Sequence, residues 1–402
     1  MKLRYAAICS LVLASGMHAA EPSYKVDRKF IRPPELKTDP SHTPGVLVGD
    51  TLYISGQIGN HPLTGEQPAG IAARTRLAMD NMGRVLRAAG LDYANLVSCH
   101  VYLTDMDDYA GMNEVYGSYF GSGRHPARTT IALPALPGGA SIEVTCIAYN
   151  DRSKIAPVVP PAGAIPAAMG PYTPAVWAGD TLYVSGNGGL DPKTNAIAPT
   201  IEGQTKQTLD TVGQTLAAAG LKHKDAVFAN VYFLDPDAYK GSTYGQLNSV
   251  YRTFFALGTA PSRASFPVSK LPGGIGVEIT FIATRDAARK GRVVPDSAGP
   301  SPTSSNGGVL AGDTLYTSAK SGSGTTVEEQ MRSSLDSIRD ILSLAGMGME
   351  HIVNAHVYLQ DIGKTPAMDA VFAEYFPTNP PARTTVQVAQ HQLEQVQVVA
   401  VR

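Results

Sequence analysis

The sequence at residues 126–144 reads PARTTIALPALPGGASIEV, and this stretch decides the fold. Its β-branched run after Arg128, its Pro- and Gly-rich turn and its apolar run around Glu143 predict two strands joined by a turn. The stretch returns as PSRASFPVSKLPGGIGVE at residues 261–278 and in part as PARTT at 381–385. In both complete copies the glutamate follows the arginine by fifteen residues, so the hairpin is a repeated unit.

A second motif indicates that whole domains are repeated. GDTLYISG at 49–56 recurs as GDTLYVSG at 179–186 and as GDTLYTSA at 312–319, at offsets of 130 and 133 residues. A period of this length indicates domains rather than solenoid repeats, because each unit has an ordinary domain size. The sequence predicts this order: signal peptide 1–20, lead-in 21–40, repeat 1 41–150, linker 151–165, repeat 2 166–286, linker 287–303 and a divergent repeat 3 304–402.

Hydrophobic periodicity gives the element order within repeat 1. The apolar residues between Ile71 and Ala89 recur at helical spacing, and Gly90 is a natural stop. The predicted elements are strands at 46–48 and 52–54, a helix at 71–89, a strand at 97–103, a helix at 109–120 and strands at 129–133 and 142–149. The order β-β-α-β-α-β-β predicts an α+β fold with both helices on one face of a sheet.

The amino terminus is typical of an exported protein. Lys2 and Arg4 precede an apolar run over residues 5–14, which small residues follow up to Ala20. This order predicts a signal peptide cleaved near Ala20 and a periplasmic or secreted protein with no membrane segment after cleavage. The net charge of −1 gives no reason to expect nucleic acid as a partner.

Two cysteines remain after the predicted cleavage, because Cys9 leaves with the signal peptide. Cys99 and Cys146 both lie in predicted strands, and they form either one bridge in an oxidising compartment or two small buried hydrophobic positions. The histidines show no metal-ligand spacing, so we expect neither a metal nor an organic cofactor.

With SGQ at 55–57 and GPY at 170–172, the arginine hairpins resemble the RidA family (YjgF-like reactive-imine deaminases) over essentially all of the mature chain. The resemblance implies trimers whose sheets pack around a central axis, with helices outside and small-molecule clefts between subunits. Three tandem copies would then form one intramolecular pseudo-trimer from a monomeric chain.

The residue types agree with the chemistry that the resemblance implies, which is hydrolysis of a 2-iminoacid to a 2-oxoacid and ammonia. An arginine fork can hold the substrate carboxylate, and a nearby glutamate can orient the attacking water. We predict catalytic roles for Arg128 with Glu143 and for Arg263 with Glu278. Substrate-binding roles carried over from the resemblance fall on Ser55, Asn113, Thr130, Tyr172, Ser185, Asn248, Ser265 and Arg383.

The copies are unequal. In repeat 1, His42 stands where repeat 2 has Tyr172. In repeat 3, we align Gln397 with the glutamate and expect this hairpin to be impaired or retuned for another ligand. The other departures of repeat 3 are Asp369 for asparagine, Ser305 for tyrosine and Lys320 for Gln57.

Other functions stay open at the level of sequence. The arginines can capture small carboxylates without catalysis, or the clefts can hydrolyse another enol or cyclic carboxylate. A surface ion pair for each arginine and an outward-pointing glutamate are the simpler alternatives, because residues on a strand alternate between its faces. Tyr53, Tyr183 and Tyr316 fit core packing better than a cleft.

Overall fold

The computed structural model of the chain describes residues 26–37, 39–235, 242–293, 304–390 and 392–402. The predicted signal peptide, with Cys9, lies outside the described residues, as does most of the predicted linker at 287–303.

Each repeat forms one mixed sheet with two long helices, as the periodicity predicts. Repeat 1 contains β1 (Arg28–Ile31), β2 (Gly45–Val48), β3 (Thr51–Ile58), α1 (Ile71–Ala88), β4 (Leu96–Leu103), α2 (Tyr109–Ser118), β5 (Ala127–Ala132) and β6 (Ile142–Tyr149). Repeat 2 contains β7 (Ile155–Val158), β8 (Ala175–Ala178), β9 (Thr181–Val184), β10 (Asn187–Gly188), α3 (Ile201–Ala218), β11 (Ala226–Phe233), α4 (Ser242–Tyr251), β12 (Ser262–Pro267) and β13 (Val277–Thr284). Repeat 3 contains β14 (Lys290–Val293), β15 (Gly308–Ala311), β16 (Thr314–Thr317), α5 (Val327–Leu344), β17 (Ile352–Leu359), α6 (Thr365–Tyr375), β18 (Ala382–Gln387) and β19 (Glu394–Val401).

The strand order in repeat 1 is β1-β2-β3-β6-β4-β5, and the other two sheets follow the same path. Only the pairs that place the arginine strand, such as β4 with β5, are parallel among the described strands. The strands β1, β7 and β14 lie in segments that the sequence assigned to the lead-in and linkers. They are four residues long, which is too short for a period of two to be visible in the sequence.

Helix α1 shows why the helices lie on one face of each sheet. Its residues Met79, Met82 and Leu86 are fully buried and recur at helical spacing, so one stripe of the helix packs on the sheet. The helix ends before Gly90, whose φ of +76° suits a residue without a Cβ atom.

The opposite faces of the three sheets pack on each other. One cluster of buried residues draws on all three repeats, and we name it the common core: it includes Val46, Tyr102 and Ile131, then Phe228, Tyr232 and Phe266, then Tyr316, Val353 and Tyr358. The rings of Phe266 and Tyr358, from repeats 2 and 3, have centroids 4.4 Å apart. Tyr53, Tyr183 and Tyr316 are buried in such clusters, which confirms the prediction of core packing.

The two mature cysteines are joined. Cys99 on β4 and Cys146 on β6 are directly opposite residues of an antiparallel pair and form a disulfide with a sequence separation of 47 residues. This finding decides between the two alternatives that the sequence left open, because only the register of β4 on β6 brings the two residues together.

Repeat 3 supplies a natural replacement for this bridge, since Ala355 and Val398 occupy the equivalent opposite positions. We expect the double variant Cys99→Ala/Cys146→Val to fold but to lose about 2–4 kcal/mol of unfolding free energy, because the unfolded chain is no longer cross-linked. Denaturant unfolding of the variant and of the wild type, each with and without reductant, measures this loss. The prediction fails if reductant destabilises both proteins equally.

Candidate active site

Arg128 opens the edge strand β5 and turns its guanidinium into a space between repeats 1 and 2. The residue is only 3% exposed. Its guanidinium lies 5.0 Å from the ring centre of Tyr116, 5.7 Å from that of Tyr172 and 5.8 Å from that of Tyr109. Nη2 donates to the Tyr109 hydroxyl at 3.3 Å, whereas Nη1 is buried without a hydrogen-bond partner. One arm of the fork is therefore available to an anion.

The arginine strands also join the repeats in a ring. Each backbone N–H of these arginines donates to a serine hydroxyl of the next repeat: Arg128 to Ser185 at 2.9 Å, Arg263 to Ser318 at 2.9 Å and Arg383 to Ser55 at 2.8 Å. The hydroxyls of Ser55 and Ser185 in turn donate to the carbonyls of Thr43 and Thr173 at 2.6 Å. Both hydroxyls therefore hold the interface between repeats, and the substrate contacts predicted for these two serines stay a prediction.

The predicted pairing of arginine and glutamate within one hairpin is wrong. On the central strand β4, Tyr102 pairs with Ile131 of β5 on one side and with Glu143 of β6 on the other. Arg128 precedes Ile131 by three residues, so it is two strands across and three residues along from Glu143. These spacings put their Cα atoms roughly 14 Å apart. The electrostatic partner of Glu278 is instead Arg128, and that of Glu143 is Arg383.

Each of the three arginines marks a cleft between two repeats, and we number these clefts in the order of their arginines along the chain. The first cleft joins Arg128 of repeat 1 to repeat 2, the second joins Arg263 of repeat 2 to repeat 3, and the third joins Arg383 of repeat 3 to repeat 1.

The first cleft contains both an arginine and a glutamate. Its cavity has a volume of about 350 Å³ and is lined by residues that include Tyr109, Arg128, Thr130, Tyr172, Ser185 and Glu278. Two further buried acceptors have no hydrogen bond: Thr130 Oγ1, whose residue lines the cavity, and Asn113 Oδ1, which lies beside Gly170 as Arg128 Nη2 does. Burial raises the pKa of the Glu278 carboxyl to about 8, and attraction to Arg128 lowers it in part.

A glycine makes room for each glutamate. A Cβ atom on Gly186 would lie 1.9 Å from Glu278 Oε1, and one on Gly56 would lie 1.6 Å from Glu143 Oε1. Repeat 3 has Ala319 at this position, so the space that the carboxylate occupies elsewhere is filled by a methyl group.

The residue of repeat 3 that replaces the glutamate is Gln395, not Gln397. Tyr102 pairs with Glu143, Tyr232 pairs with Glu278, and their counterpart Tyr358 pairs with Gln395. The alignment was wrong by two residues because the third hairpin lacks the PGG turn that fixes the length of the others. Gln397 lies instead beside a cavity of about 60 Å³ among the three sheets, which His100, Asn230 and His356 also line.

The second cleft therefore lacks a carboxylate at the glutamate position. Arg263 donates through Nη1 to Asn248 Oδ1 at 2.8 Å and through Nη2 to the Tyr244 hydroxyl at 2.7 Å. Ser265 Oγ, two residues along β12, is buried without a partner. The predicted catalytic pair of Arg263 with Glu278 is not formed, because the two residues belong to different clefts.

The third cleft contains a glutamate, but its arginine is neutralised. Arg383 Nη2 lies 2.6 Å from Asp369 Oδ1, at the position that Asn113 and Asn248 occupy in the other repeats. His42, which stands where Tyr172 is in repeat 2, lines this cleft. Burial and the charge of Arg383 lower the pKa of His42 to about 4, so the imidazole is neutral at pH 7.

Sequence reasoning missed the tyrosines that hold the arginines. Tyr109 and Tyr244 occupy equivalent positions at the start of the second helix of their repeats, and Thr365 replaces them in repeat 3. The spacing of four residues from tyrosine to asparagine, shared by repeats 1 and 2, was the available signal.

Among the described residues no cluster of three His, Cys, Asp or Glu side chains has a metal-binding arrangement. No helix in the described part of the chain is long and apolar enough to span a bilayer.

Comparisons with known proteins fit the three repeats. A family model described as endoribonuclease L-PSP matches residues 35–150, 163–285 and 300–399. The 2-iminobutanoate/2-iminopropanoate deaminase of Rattus norvegicus is 42% identical over 111 residues, which are 27% of this chain and 80% of that protein. Protein DfrA of Myxococcus xanthus is 44% identical over 106 residues, which are 26% of this chain and 80% of that protein. The crystal structure of the YjgF gene product from E. coli is 32% identical, covers 32% of this chain and 98% of its own, and has a TM-score of 0.29.

Proposed function

The chain belongs, in three tandem copies, to the RidA/YjgF family, whose model is described as endoribonuclease L-PSP, and on this basis we propose that it hydrolyses 2-iminoacids at the first cleft. The relatives from Rattus norvegicus and Homo sapiens are named 2-iminobutanoate/2-iminopropanoate deaminase, which supports this class of substrate. The observation that carries the proposal is the first cleft itself, where the partly unpaired guanidinium of Arg128 faces the buried carboxyl of Glu278.

Binding begins at the arginine. The free Nη1 arm of Arg128 donates to the carboxylate of the iminoacid, and the aromatic rings around the guanidinium keep the ion pair away from water. Such charge-assisted bonds contribute about 1.5–3 kcal/mol each. Tyr172 and Thr130 complete the wall against which the side chain of a small substrate lies.

Hydrolysis then needs one water and two proton transfers. Glu278 in its ionised form accepts a proton from water while the water oxygen bonds to the imine carbon, and the imine nitrogen takes up a proton. Glu278 then transfers the hydroxyl proton of the resulting carbinolamine to the nitrogen as the carbon–nitrogen bond breaks and the carbon–oxygen double bond forms, so that ammonia leaves and a 2-oxoacid remains. A carboxyl with a pKa near 8 can both accept and return a proton close to neutral pH.

The experiment that tests this function is an assay of the mature protein with 2-iminobutanoate, made in place from 2-aminobutanoate by an amino-acid oxidase. We expect 2-oxobutanoate to form faster than in the same mixture without the protein. No acceleration, together with measurable binding of 2-oxobutanoate, would favour a carboxylate binder instead.

Non-catalytic binding is a second function that one observation favours. The second cleft keeps Arg263 with Asn248 and Tyr244 but has Ala319 and Gln395 where the other clefts have a glycine and a glutamate. An arginine without a carboxylate partner suits capture of a small carboxylate but supplies no group that can activate water.

We further propose that the three repeats form an intramolecular pseudo-trimer and that the chain is exported. The common core and the ring of arginine–serine hydrogen bonds support the first proposal. The signal-like sequence before Ala20 and the disulfide Cys99–Cys146 support the second, since disulfides persist in oxidising compartments. Amino-terminal sequencing of the protein from an extracytoplasmic fraction tests export, and a start at Met1 contradicts it.

A further inference from the structure

The third cleft contains a glutamate placed like that of the first cleft, but its arginine makes different contacts. Glu143 is 2% exposed, its Oε2 has no hydrogen-bond partner, and it lies against Gly56 as Glu278 lies against Gly186. Thr385, the counterpart of Thr130, lines the same cavity. The cavity measures about 510 Å³, compared with about 350 Å³ for the first cleft.

The difference lies in what Arg383 contacts. Its Nη2 is 2.6 Å from Asp369 and donates to Ser41 Oγ at 3.1 Å, while its Nη1 lies 3.5 Å from Met368 Sδ. The guanidinium also stacks over Phe372 at 4.9 Å. Both arms are therefore in contact with the protein, and the positive charge already has a counter-ion.

The charges around the two cavities differ accordingly. The first cavity has one fixed charge, that of Arg128, since Glu278 with a pKa of about 8 is mostly protonated at pH 7. The third cavity has the cations Lys37 and Arg383 and the anions Asp39 and Asp369. Its other titratable groups are Glu143, whose pKa burial raises to about 8, His42, whose pKa is lowered to about 4, and His61. At pH 7 the first cavity carries a net positive charge and the third carries none from these fixed groups.

We propose that the third cleft is a second hydrolytic site for neutral imines that lack a carboxylate, and that Asp369 determines this specificity. This inference rests on the imine-hydrolase function proposed for the chain. An iminoacid entering the third cleft would place its carboxylate beside Asp369 with no unpaired arginine, and burying an uncompensated charge is costly. A neutral imine meets no such penalty and reaches the same glutamate.

The reaction is the same addition and elimination without a redox change. Water adds its oxygen to the imine carbon, the nitrogen gains two protons in total from water through Glu143, and the carbon–nitrogen bond breaks. An aldehyde or ketone and ammonia are formed. Imines of this class are produced by oxidation of primary amines, so an amine-oxidising reaction must supply the substrate.

Two probes differ only in the carboxylate: 2-iminobutanoate, from 2-aminobutanoate and an amino-acid oxidase, and propan-1-imine, from propylamine and an amine oxidase. In the wild type we expect Glu143→Gln to abolish the accelerated hydrolysis of propan-1-imine and to leave that of 2-iminobutanoate unchanged. Retention of propan-1-imine hydrolysis by Glu143→Gln would overturn the proposal.

The specificity role of Asp369 is tested by giving repeat 3 the residue that repeats 1 and 2 already have. In the double variant Arg128→Ala/Arg263→Ala, only the third cleft keeps its arginine. We expect this protein to bind no 2-oxobutanoate by calorimetry, and Asp369→Asn in the same background to bind one equivalent and to hydrolyse 2-iminobutanoate at least tenfold faster than its parent. A folded Asp369→Asn protein, with an unchanged melting profile, that gains neither property would overturn the inference.

The reciprocal change serves as the second test. Asn113→Asp in the wild type should neutralise Arg128 and lower 2-iminobutanoate hydrolysis at least tenfold, whereas propan-1-imine hydrolysis does not fall below the wild-type rate. If the wild type hydrolyses 2-iminobutanoate but these exchanges at positions 113 and 369 have no effect, only the present inference fails. If the wild type accelerates neither reaction, the proposed function fails with it.

Discussion

Arg128→Ala is expected to lower kcat/KM for 2-iminobutanoate by about 10–10²-fold, because the variant loses the charge-assisted hydrogen bond from the free Nη1 arm to the substrate carboxylate, which is worth about 1.5–3 kcal/mol. Arg128 is the arginine whose guanidinium has a buried arm without a partner and whose electrostatic neighbour is Glu278. Steady-state kinetics with 2-iminobutanoate, corrected for the reaction without protein, measure the loss.

The chain contains a matched control for this variant. Arg263→Ala removes the same group from an equivalent strand position, but the second cleft has Gln395 and Ala319 in place of a glutamate and a glycine. Iminoacid hydrolysis should therefore be unchanged in Arg263→Ala. Equal losses in the two variants would show that the arginines act through the fold rather than through the first cleft.

Glu278→Gln should reduce the same kcat/KM by about 10²–10⁴-fold, the usual contribution of a positioned general base. The amide has nearly the same shape as the carboxyl and needs the same space against Gly186, so the cavity is preserved. Glu143→Gln is the control, since it makes the same change in a cleft where Arg383 is paired with Asp369. A full rate in Glu278→Gln would remove the base from the mechanism.

The pH profile gives this prediction a sign. The ionised form of Glu278 accepts the proton from water, and its pKa is about 8. In the wild type kcat/KM should therefore be low at acidic pH and should increase as the pH rises through about 8. The rising limb should be absent in Glu278→Gln.

The raised pKa of Glu278 also stabilises the fold at pH values below the ordinary pKa of a glutamate, and this stability is lost as pH rises through about 8. Unfolding free energy should therefore decline less between pH 5 and 9 in Glu278→Gln, as urea titrations can measure.

The position of Glu278 illustrates how much of the site can be predicted from the sequence. The hairpin motif identified both groups of the proposed active pair, Arg128 and Glu278, but assigned them to different sites. Fifteen residues separate an arginine from a glutamate within each hairpin, and this proximity along the chain favoured pairs that the sheet does not form. A β-strand separates the two positions, and each arginine on the edge of its sheet faces the next repeat.

The position of repeat 3 that corresponds to the glutamates was predicted wrongly for a different reason. The strand pairing aligns Gln395 with the two glutamates, and the sequence contained the means to find this, because Ala148, Ala283 and Ala400 close the same strand in the three repeats. The missing turn in the third hairpin led the alignment to the Val-Gln-Val run instead. Asp369 was recognised as a departure from asparagine, but its contact with Arg383 depends on helix α6 packing beside β18.

The sequence by itself determined the three repeats, their α+β element order, the family and the residue types of the site. These properties are carried by local signals: hydrophobic period, turn residues and motifs that recur along the chain. Only the tertiary structure decided that Arg128 and Glu278 line one cavity, that Cys99 is bonded to Cys146 and that Asp369 neutralises Arg383. Such contacts join residues from different strands or different repeats, and the packing of the sheets around the common core fixes them.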